Sequence, residues 1–316
     1  MSLTLNHETN EIINATGTVT VNGTAVGGDN RTWYGDRGLF AGGYSETNII
    51  DYITISTTGN ATDFGDLTNS VYGISGCSDT SRGVFGGGTN GSNETNIIQY
   101  VTISTTGNAT DFGDLTAARY VSGSASTSLR GLFAGGYGND NFDTIDYITI
   151  ATTGNATDFG NLLSAANGLA GSGNSNRSLF AGGGSSNVIQ FVVPDTTGNA
   201  TDFGDLIVAT TDRGGLSNKT RAVFGGAYVS GAATDVIQYV TIDTTGNATD
   251  FGNLTVARGG GLAACANGTR GVFAGGIAGS TQYNTIDYIT IATTGNATDF
   301  GDRTIAKYSS TSCSGT

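Results

Sequence analysis

Nine residues, Thr57-Thr58-Gly59-Asn60-Ala61-Thr62-Asp63-Phe64-Gly65, recur letter for letter five more times along the chain. The further copies begin at residues 105, 152, 196, 244 and 293, so successive copies are 44 to 49 residues apart. A second motif accompanies each copy. It reads Arg37-Gly38-Leu39-Phe40-Ala41-Gly42-Gly43 in the first unit, and its Arg returns at 82, 130, 177, 221 and 270. Six units of this length indicate one array of repeated supersecondary structure rather than two ordinary domains.

Each unit is typical of three or four short β-strands. Short runs rich in β-branched and aromatic residues alternate with turns of Gly, Asn, Ser and Thr, and no stretch carries apolar residues at helical spacing. The run from Ile49 to Ile55 places large residues on both of its alternating faces, which indicates a sheet covered on both sides. Small sheets that stack side by side around an axis form a β-propeller. We therefore predict an all-β, six-bladed β-propeller.

The two ends of the repeat region are complementary. Residues 302–316 follow the last nonapeptide and align with the first strand of a unit, so that Cys313 falls opposite Ala125 and Cys77. The first unit, which begins near Arg37, has no such strand of its own. We predict that the C-terminal strand completes the first blade and closes the ring, which removes the exposed edges of an open array.

Residues 1–30 lie outside the repeat, and residues 31–316 are assigned to the propeller. The stretch from Ile13 to Val21 alternates apolar and polar residues and reaches Asn22-Gly23, which predicts a strand or hairpin. Its few apolar residues cannot form a core of their own. We therefore expect residues 1–30 to form an arm that docks on the propeller or on a partner.

Charge and composition narrow the function classes. The 316 residues include 13 Lys and Arg against 26 Asp and Glu, a formal net charge of −13. Nucleic acids and anionic membranes are both bound mainly through Lys and Arg, so neither is expected as a partner. No apolar run reaches the roughly 20 residues that span a bilayer. Met1–Glu8 also lacks the basic and apolar regions of a secretory signal.

The repeat resembles that of the kelch propellers. Their signature combines a double Gly, a following aromatic residue and a basic residue that closes several units. Here these are Gly42-Gly43, Gly87-Gly88, Gly135-Gly136, Gly182-Gly183 and Gly275-Gly276; Tyr52, Tyr100, Tyr147, Phe191, Tyr239 and Tyr288; and Arg119, Arg258 and Lys307. The likeness covers about residues 31–316. It departs at Phe64 and its equivalents, where the family usually has Trp, and at Gly226-Ala227, which replaces one Gly pair.

The longer unit Gly-Asn-Ala-Thr-Asp-Phe-Gly-Asp-Leu-Thr looks like repeats in structural proteins of tailed phages, especially marine ones. The opening Leu3-Thr4-Leu5-Asn6-His7 also looks like the start of such virion proteins. This resemblance implies a virion component in a tail fibre, a tail appendage or on the capsid surface. Residues 1–30 would then attach it to other virion proteins.

Two sets of recurring polar residues invite a structural interpretation. In a propeller, the turn between strands one and two shares a face with the turn between strands three and four. We therefore predict a ring of Arg–Asp pairs that fixes the register of the blades. Its members are Arg37, Arg82, Arg130, Arg177, Arg221 and Arg270 with Asp63, Asp111, Asp158, Asp202, Asp250 and Asp299.

The recurring Asn60, Asp63 and Asp66 match either a calcium loop or backbone-capping turns, and Asn at the third position of two copies favours capping.

The six copies diverge between the Gly pair and strand three. The loops there are rich in Tyr, Asn, Ser and Gly, the residues of adaptable recognition loops. Such divergence indicates either that this face binds a specific partner or that the sequences of exposed loops have drifted without a binding role. The candidate binding residues are Tyr44, Asn90, Asn93, Tyr137, Asn139, Asp140, Phe142, Tyr228, Gln282 and Tyr283.

Catalysis is not indicated. The single His, His7, lies in the arm, so the repeats cannot supply a His-based metal centre or a Ser-His-Asp triad. Cys77, Cys265 and Cys313 are expected to be buried thiols rather than disulfides. We expect no metal and no cofactor.

The leading hypothesis is a non-catalytic virion protein whose variable face binds a host surface molecule such as a glycan. The alternatives are a cytoplasmic protein-interaction scaffold of kelch type and a propeller glycosidase or lyase.

Overall fold

A computed structural model of the chain describes residues 32–44, 47–211 and 214–315, together with the backbone of four short strands before residue 32. These strands are β1 (Thr4–Asn6), β2 (Glu11–Ile13), β3 (Val19–Val21) and β4 (Thr24–Val26), which form the antiparallel pairs β1–β2 and β3–β4. Strands β3 and β4 flank Asn22-Gly23, where we expected a hairpin turn. That turn and the boundary at residue 30 lie outside the described residues.

The repeat region consists of short strands, and no helix occurs among the described residues. The first strands are β5 (Arg37–Ala41), β6 (Thr47–Thr54), β7 (Thr62–Val71), β8 (Ser75–Ser78), β9 (Arg82–Gly86), β10 (Ile97–Thr102), β11 (Thr110–Asp114), β12 (Gly123–Ser126), β13 (Arg130–Ala134), β14 (Thr144–Thr149), β15 (Thr157–Asn161) and β16 (Ala170–Gly173). The others are β17 (Ser178–Ala181), β18 (Ser186–Val192), β19 (Thr201–Thr210), β20 (Gly214–Ser217), β21 (Arg221–Val229), β22 (Ala232–Thr241), β23 (Thr249–Asn253), β24 (Ala263–Ala266), β25 (Arg270–Ala274), β26 (Ile277–Ala278), β27 (Thr281–Gln282), β28 (Thr285–Thr290), β29 (Thr298–Asp302) and β30 (Thr311–Gly315).

Six antiparallel four-stranded sheets form the blades of a β-propeller. Blade 1 has the strand order β30-β5-β6-β7, blades 2 to 5 use consecutive strands from β8 to β23, and blade 6 is β24-β25-β28-β29. Strand one of each blade lies next to the first strands of both neighbouring blades, so the six inner strands close a circle around a central channel. The predicted fold class and blade count are confirmed.

The C-terminal strand closes the ring. Strand β30 pairs antiparallel with β5, with Thr311 opposite Ala41, Cys313 opposite Leu39 and Gly315 opposite Arg37. Cys77 in blade 2 faces Val84 in the same way, so the alignment of Cys313 with Cys77 holds in register. Because the first and last segments of the repeat region share one sheet, the ring has no open edge between blades 6 and 1.

The core lies between the blades. One Phe in strand two of every blade is fully buried, and the six are Phe40, Phe85, Phe133, Phe180, Phe224 and Phe273. Each packs against apolar residues of more than one blade; Phe180 of blade 4, for example, clusters with Leu162 and Phe159 of blade 3. Burying both faces of each sheet removes a large apolar area from water, which stabilises the closed ring.

Small side chains let the inner strands converge. A Cβ atom on Gly171 would overlap the backbone of Ser124 in the next blade. The thiols of Cys77, Cys265 and Cys313 lie against Gly131, Gly38 and Gly83, respectively, of a neighbouring blade, where a methyl group would clash. All three thiols are free and buried, as predicted. Burial raises the pKa of each, so the thiols stay protonated at neutral pH.

The propeller has two different faces. The turn face carries the strand one–two turns and the Thr57–Asn60 type turns, which adjoin each other through bonds such as Ile103 N–H to Ser81 O at 2.8 Å. The loop face carries the divergent loops between strands two and three and the connections from strand four to the next strand one. Trp33 is 7% exposed and lies at the turn-face end of the channel beside Ser78. The described chain therefore enters the propeller from the turn face.

Candidate functional site

The identical nonapeptide joins neighbouring blades. In blade 3, Asn155 Oδ1 accepts a hydrogen bond from Asp114 N–H of blade 2 at 3.1 Å. The N–H groups of Gly154 and Ala156 donate to Phe112 O and Asp114 O at 2.8 and 2.7 Å. The same three bonds recur at every junction, including blade 6 to blade 1, where Asn60 Oδ1 accepts from Asp302 N–H. Asn60 and its equivalents do cap backbone N–H groups, but these groups belong to the neighbouring blade and not to the same turn. Among the described residues, the side chains of Asp63 and Asp66 accept no such hydrogen bond, so the capping predicted for the whole cluster is limited to its Asn.

This junction explains an irregularity in the repeat. The position of Asp66 and Asp114 is Asn161 and Asn253 in two copies. Since the neighbouring blade binds only the backbone N–H and C=O of this residue, either side chain serves equally well.

The predicted Arg–Asp ring is wrong in its acidic half. The six Asp residues, Asp63, Asp111, Asp158, Asp202, Asp250 and Asp299, are exposed on the outermost strands. The ion pairs in the described part of the chain involve other residues. Each Arg instead lies across the ring of its own blade's strand-three aromatic residue, with 4.5–4.7 Å between the guanidinium carbon and the ring centroid.

The guanidinium groups reach backbone carbonyls of the next blade. Arg130 donates to Pro194 O at 2.8 Å. The other five make equivalent bonds, Arg37 to Ile103, Arg82 to Ile150, Arg177 to Ile242, Arg221 to Ile291 and Arg270 to Ser56, at 2.9–3.1 Å. The ring of Arg residues therefore does link blade to blade, but through neutral acceptors and aromatic faces.

We expect Arg130→Ala to lower the free energy of unfolding by about 1–3 kcal/mol, since it removes one charge-assisted hydrogen bond and one cation–π contact. Arg130→Lys should recover only part of this loss, because an ammonium group cannot stack on Tyr147 as a planar guanidinium does. Urea denaturation would measure both variants. Asp158→Ala, which removes the originally expected partner, serves as the control and should change the stability by less than about 0.5 kcal/mol. Equal losses for Arg130→Ala and Asp158→Ala would contradict this assignment.

Under the loop face, three blades bury a carboxylate and the other three bury an amide at the same position. The residue before the strand-three aromatic is Asp51, Gln99, Asp146, Gln190, Gln238 or Asp287, and all six are buried. Each Asp is paired with a buried Arg of the preceding blade: Asp146 with Arg119 at 2.6 Å, Asp287 with Arg258 at 3.0 Å and Asp51 with Arg303 at 3.2 Å. Burial lowers the pKa of each of these Arg residues, while the partner carboxylate acts in the opposite direction.

The Gln blades have no such cation. The position of Arg119 and Arg258 is held by Val71, Ala166 and Thr210 in the junctions that carry Gln99, Gln190 and Gln238. The Gln oxygens accept from backbone N–H groups instead, for example Thr68 N–H to Gln99 at 2.6 Å. A junction therefore has both the buried Asp and its buried Arg partner, or neither of them. This is expected because burying a single unpaired charge costs free energy. This pairing was not predicted from the sequence, although the exchange of Asp for Gln before the aromatic residue in three of the six units indicates it.

The predicted binding residues have different surroundings. Asn90 Oδ1 caps its own turn by accepting from Ser92 and Asn93 N–H at 3.0 and 2.8 Å, and Asn139 and Asp140 are exposed at a loop tip. Gln282 lies in the short strand β27, opposite Ile277. The ring of Phe142 lies 5.7 Å from the Arg119 guanidinium. Tyr283 is close enough to Arg258 to affect its pKa, so Phe142 and Tyr283 both adjoin the buried ion pairs.

Two predicted residues, Tyr44 and Tyr137, belong to a continuous aromatic surface. Tyr44 contacts Tyr308 and Tyr72, with ring centroids 4.9 and 5.2 Å apart, and Tyr72 contacts Tyr120 at 6.1 Å. Tyr120 contacts Tyr137 at 5.8 Å. We call these five residues the tyrosine arc. Tyr72, Tyr120 and Tyr308 were missed by sequence analysis, although each occupies the same place shortly before a first strand.

The tyrosine arc borders the loop-face mouth of the central channel. A cavity of about 110 Å³ opens there, lined by uncharged residues that include Gly73, Val121 and Ser309. Each of these three directly follows a tyrosine of the arc in sequence. At the opposite end of the channel, Trp33 and Tyr34 line a smaller cavity of about 70 Å³.

Other kinds of site were sought in the part of the chain that the structure describes. No group of three or more His, Cys, Asp and Glu residues there could hold a metal ion. None of its segments forms a helix with the length and hydropathy needed to cross a bilayer. The loop face with its channel mouth is therefore the candidate site. Comparison with known families and curated proteins adds no assignment, because no family model and no curated protein matches the chain.

Proposed function

We propose that the chain is a non-catalytic virion component of a tailed phage, attached through residues 1–30, whose loop face binds a molecule on the host surface. The virion assignment is supported by the resemblance of the Gly-Asn-Ala-Thr-Asp-Phe-Gly-Asp-Leu-Thr unit to repeats of phage structural proteins. The binding role is supported by the sequences of the two faces: the nonapeptide turns of the turn face are identical in all six units, whereas the loops of the loop face diverge.

The observation that carries the proposal is the difference between the two faces of the propeller. The nonapeptide, whose turn between strands three and four lies on the turn face, is identical in all six units, and the described chain enters on the same face at Trp33. All six divergent loops lie on the opposite face. An attachment segment on one face and a variable surface on the other let a single domain be fixed in a particle and still present its loops outward. Function on exposed loops held by a rigid scaffold is a general arrangement in proteins.

Deleting residues 1–30 tests the attachment. We expect the deletion variant to fold, with a melting temperature close to that of the full chain, and to be missing from purified particles when it replaces the native protein during infection. Immunoblots of density-purified particles would measure incorporation. Tyr228→Ala, a change on the loop face, is the control and should be incorporated normally.

Two results would contradict the proposal. One is a full-length chain that never co-purifies with particles, which would favour a cellular scaffold. The other is equal incorporation of the full chain and the deletion variant, which would remove the role of residues 1–30.

A further inference from the structure

The loop face is uneven in its chemistry. Two positions of every blade border the channel mouth: the residue after the Gly pair (Gly-Ala in blade 5), and the residue paired with it, which lies shortly before the first strand of the same blade. In blades 1 to 3 five of these six residues are tyrosines, Tyr308, Tyr44, Tyr72, Tyr120 and Tyr137, and the sixth is Thr89. On the other half they are Asn167, Gly184, Thr211, Tyr228, Gly259 and Ile277. The aromatic surface is therefore one extended feature on one side of the ring.

The tyrosine arc is packed as a platform. Neighbouring rings meet mostly edge to face, a favourable arrangement that restricts their movement. Tyr44 and Tyr137 remain 37% and 36% exposed. Burial raises the pKa of Tyr120, and Tyr72, Tyr137 and Glu94 add to this effect, so its hydroxyl stays neutral at physiological pH. The surface offers aromatic rings and neutral hydroxyl groups.

The backbone beside the arc is strained. Val121, which follows Tyr120 and lines the cavity, has φ of 50°. This left-handed conformation is a rare outlier for a β-branched residue, and Gly73 and Gly168 occupy the equivalent positions in the neighbouring connections. Val121 N–H donates to Gly73 O, and Gly168 N–H donates to Val121 O, so the strained residue is part of a hydrogen-bonded collar around the channel mouth. Such outliers concentrate at ligand-binding positions.

The cavity determines the class of ligand. Its lining consists of Gly, Ala, Ser, Thr, Val, Leu and Ile and includes no charged residue, although the chain carries a net charge of −13. An ionic ligand would find no partner there. The hydroxyl group of Ser122 bonds to Ser75 Oγ and that of Ser309 donates to Gly260 O, and each retains lone pairs that can accept a hydrogen bond from a ligand hydroxyl.

We propose that the tyrosine arc and the adjoining channel mouth bind a neutral oligosaccharide. Sugar rings combine apolar C–H faces, which pack on aromatic rings, with hydroxyl groups that match the Ser and Thr of the cavity. Several sugar units would lie along the arc between Tyr308 and Tyr137, with one hydroxyl-bearing edge at the cavity. This inference rests on the proposed function, since it names the ligand class of the same loop face.

A glycan array of neutral and acidic oligosaccharides, probed with the purified full-length chain, tests the proposal. We expect binding to neutral oligosaccharides of two or more units, and loss of about tenfold or more in affinity in the variant Tyr44→Ala/Tyr137→Ala. Tyr228, which the sequence predicted as a binding residue, occupies the equivalent position on the other half of the ring and is not part of the tyrosine arc. Tyr228→Ala should therefore stay within about twofold of the unaltered chain. Tyr44 and Tyr137 are more than one third exposed and Tyr228 is partly exposed, so both variants should still fold, with at most a small decrease in melting temperature. Tyr44→Phe/Tyr137→Phe should keep most of the affinity if ring stacking dominates.

The outcomes separate this inference from the proposed function. Binding only to acidic glycans, only to peptides, or to no neutral glycan on the array would overturn the oligosaccharide site. So would equal losses for Tyr44→Ala/Tyr137→Ala and Tyr228→Ala. Incorporation of the chain into particles depends on residues 1–30 and would be unaffected by any of these results. Absence from particles, conversely, would overturn the proposed function whatever the array shows.

Discussion

Asp146→Gln alone should lower the free energy of unfolding by about 3–5 kcal/mol, because it leaves Arg119 as a buried cation without its counter-charge. The Arg119 and Asp146 side chains are fully buried and 2.6 Å apart. Arg119 has few other partners, since its Nε and one terminal nitrogen make no hydrogen bond. Arg119→Val alone should cost a similar amount, because the carboxylate would then be uncompensated. Denaturation in urea, followed by fluorescence or circular dichroism, measures both.

The chain contains its own control for this prediction. The junction between blades 1 and 2 has Val71, Gln99 and Thr68 where the next junction has Arg119, Asp146 and Thr116. The double variant Arg119→Val/Asp146→Gln copies that neutral junction and should recover most of the loss, to within about 1–2 kcal/mol of the unaltered chain. A double variant as unstable as the sum of the single variants would show that the two residues do not act as a pair.

Gly113→Ala should destabilise the propeller by about 2–4 kcal/mol, through overpacking and backbone strain. Gly113 has φ of 148°, and a Cβ atom there would overlap the carbonyl group of Gly154 in blade 3. The junction bonds from Gly154 and Ala156 would have to move apart. The loss should appear as a lower urea midpoint.

Gly107→Ala is the matched control for Gly113→Ala. Gly107 belongs to the same nonapeptide, but a Cβ atom there would have nothing within 4 Å. Its replacement should change the stability by less than about 1 kcal/mol. A similar loss for both variants would show that glycine content, rather than the blade junction, determines the effect.

Much of the fold could be predicted from the sequence, because the same pattern of strands and turns occurs six times along the chain. The blade count, the closure of blade 1 by residues 311–315 and the separation of the two faces follow from the spacing of the nonapeptide and from the extra strand at the C-terminal end. These features depend on local pattern and chain connectivity, which a sequence displays directly.

The partners of individual side chains could not be predicted in the same way. The six repeated Arg residues were expected to meet Asp63 and its equivalents, but they lie across the strand-three rings and reach carbonyl oxygens of the next blade. Every residue has a backbone carbonyl group, so the sequence does not show which carbonyl accepts the hydrogen bond, whereas an Asp side chain is an obvious candidate partner for Arg. Similarly, the nonapeptide Asn residues cap N–H groups in a neighbouring blade, 38 to 43 residues away along the chain in five cases and 242 residues away for Asn60. Only three-dimensional contact between blades reveals these bonds.

The candidate site was predicted in part. Tyr44 and Tyr137 were named from the divergent loops, and the structure places them together. Tyr72, Tyr120 and Tyr308 belong to the connections into strand one, where we did not look for divergence. Comparing every position of the repeat, rather than one loop per unit, would have found them, because tyrosine occurs at that position in three units and not in the other three.

The most direct test of the account is competition between the purified full-length chain and phage particles for host cells. We predict that the chain at saturating concentration reduces particle adsorption, that Tyr228→Ala competes equally well, and that Tyr44→Ala/Tyr137→Ala does not compete. If the chain fails to compete at any concentration, or if all three proteins compete equally, the tyrosine arc is not the surface that meets the host.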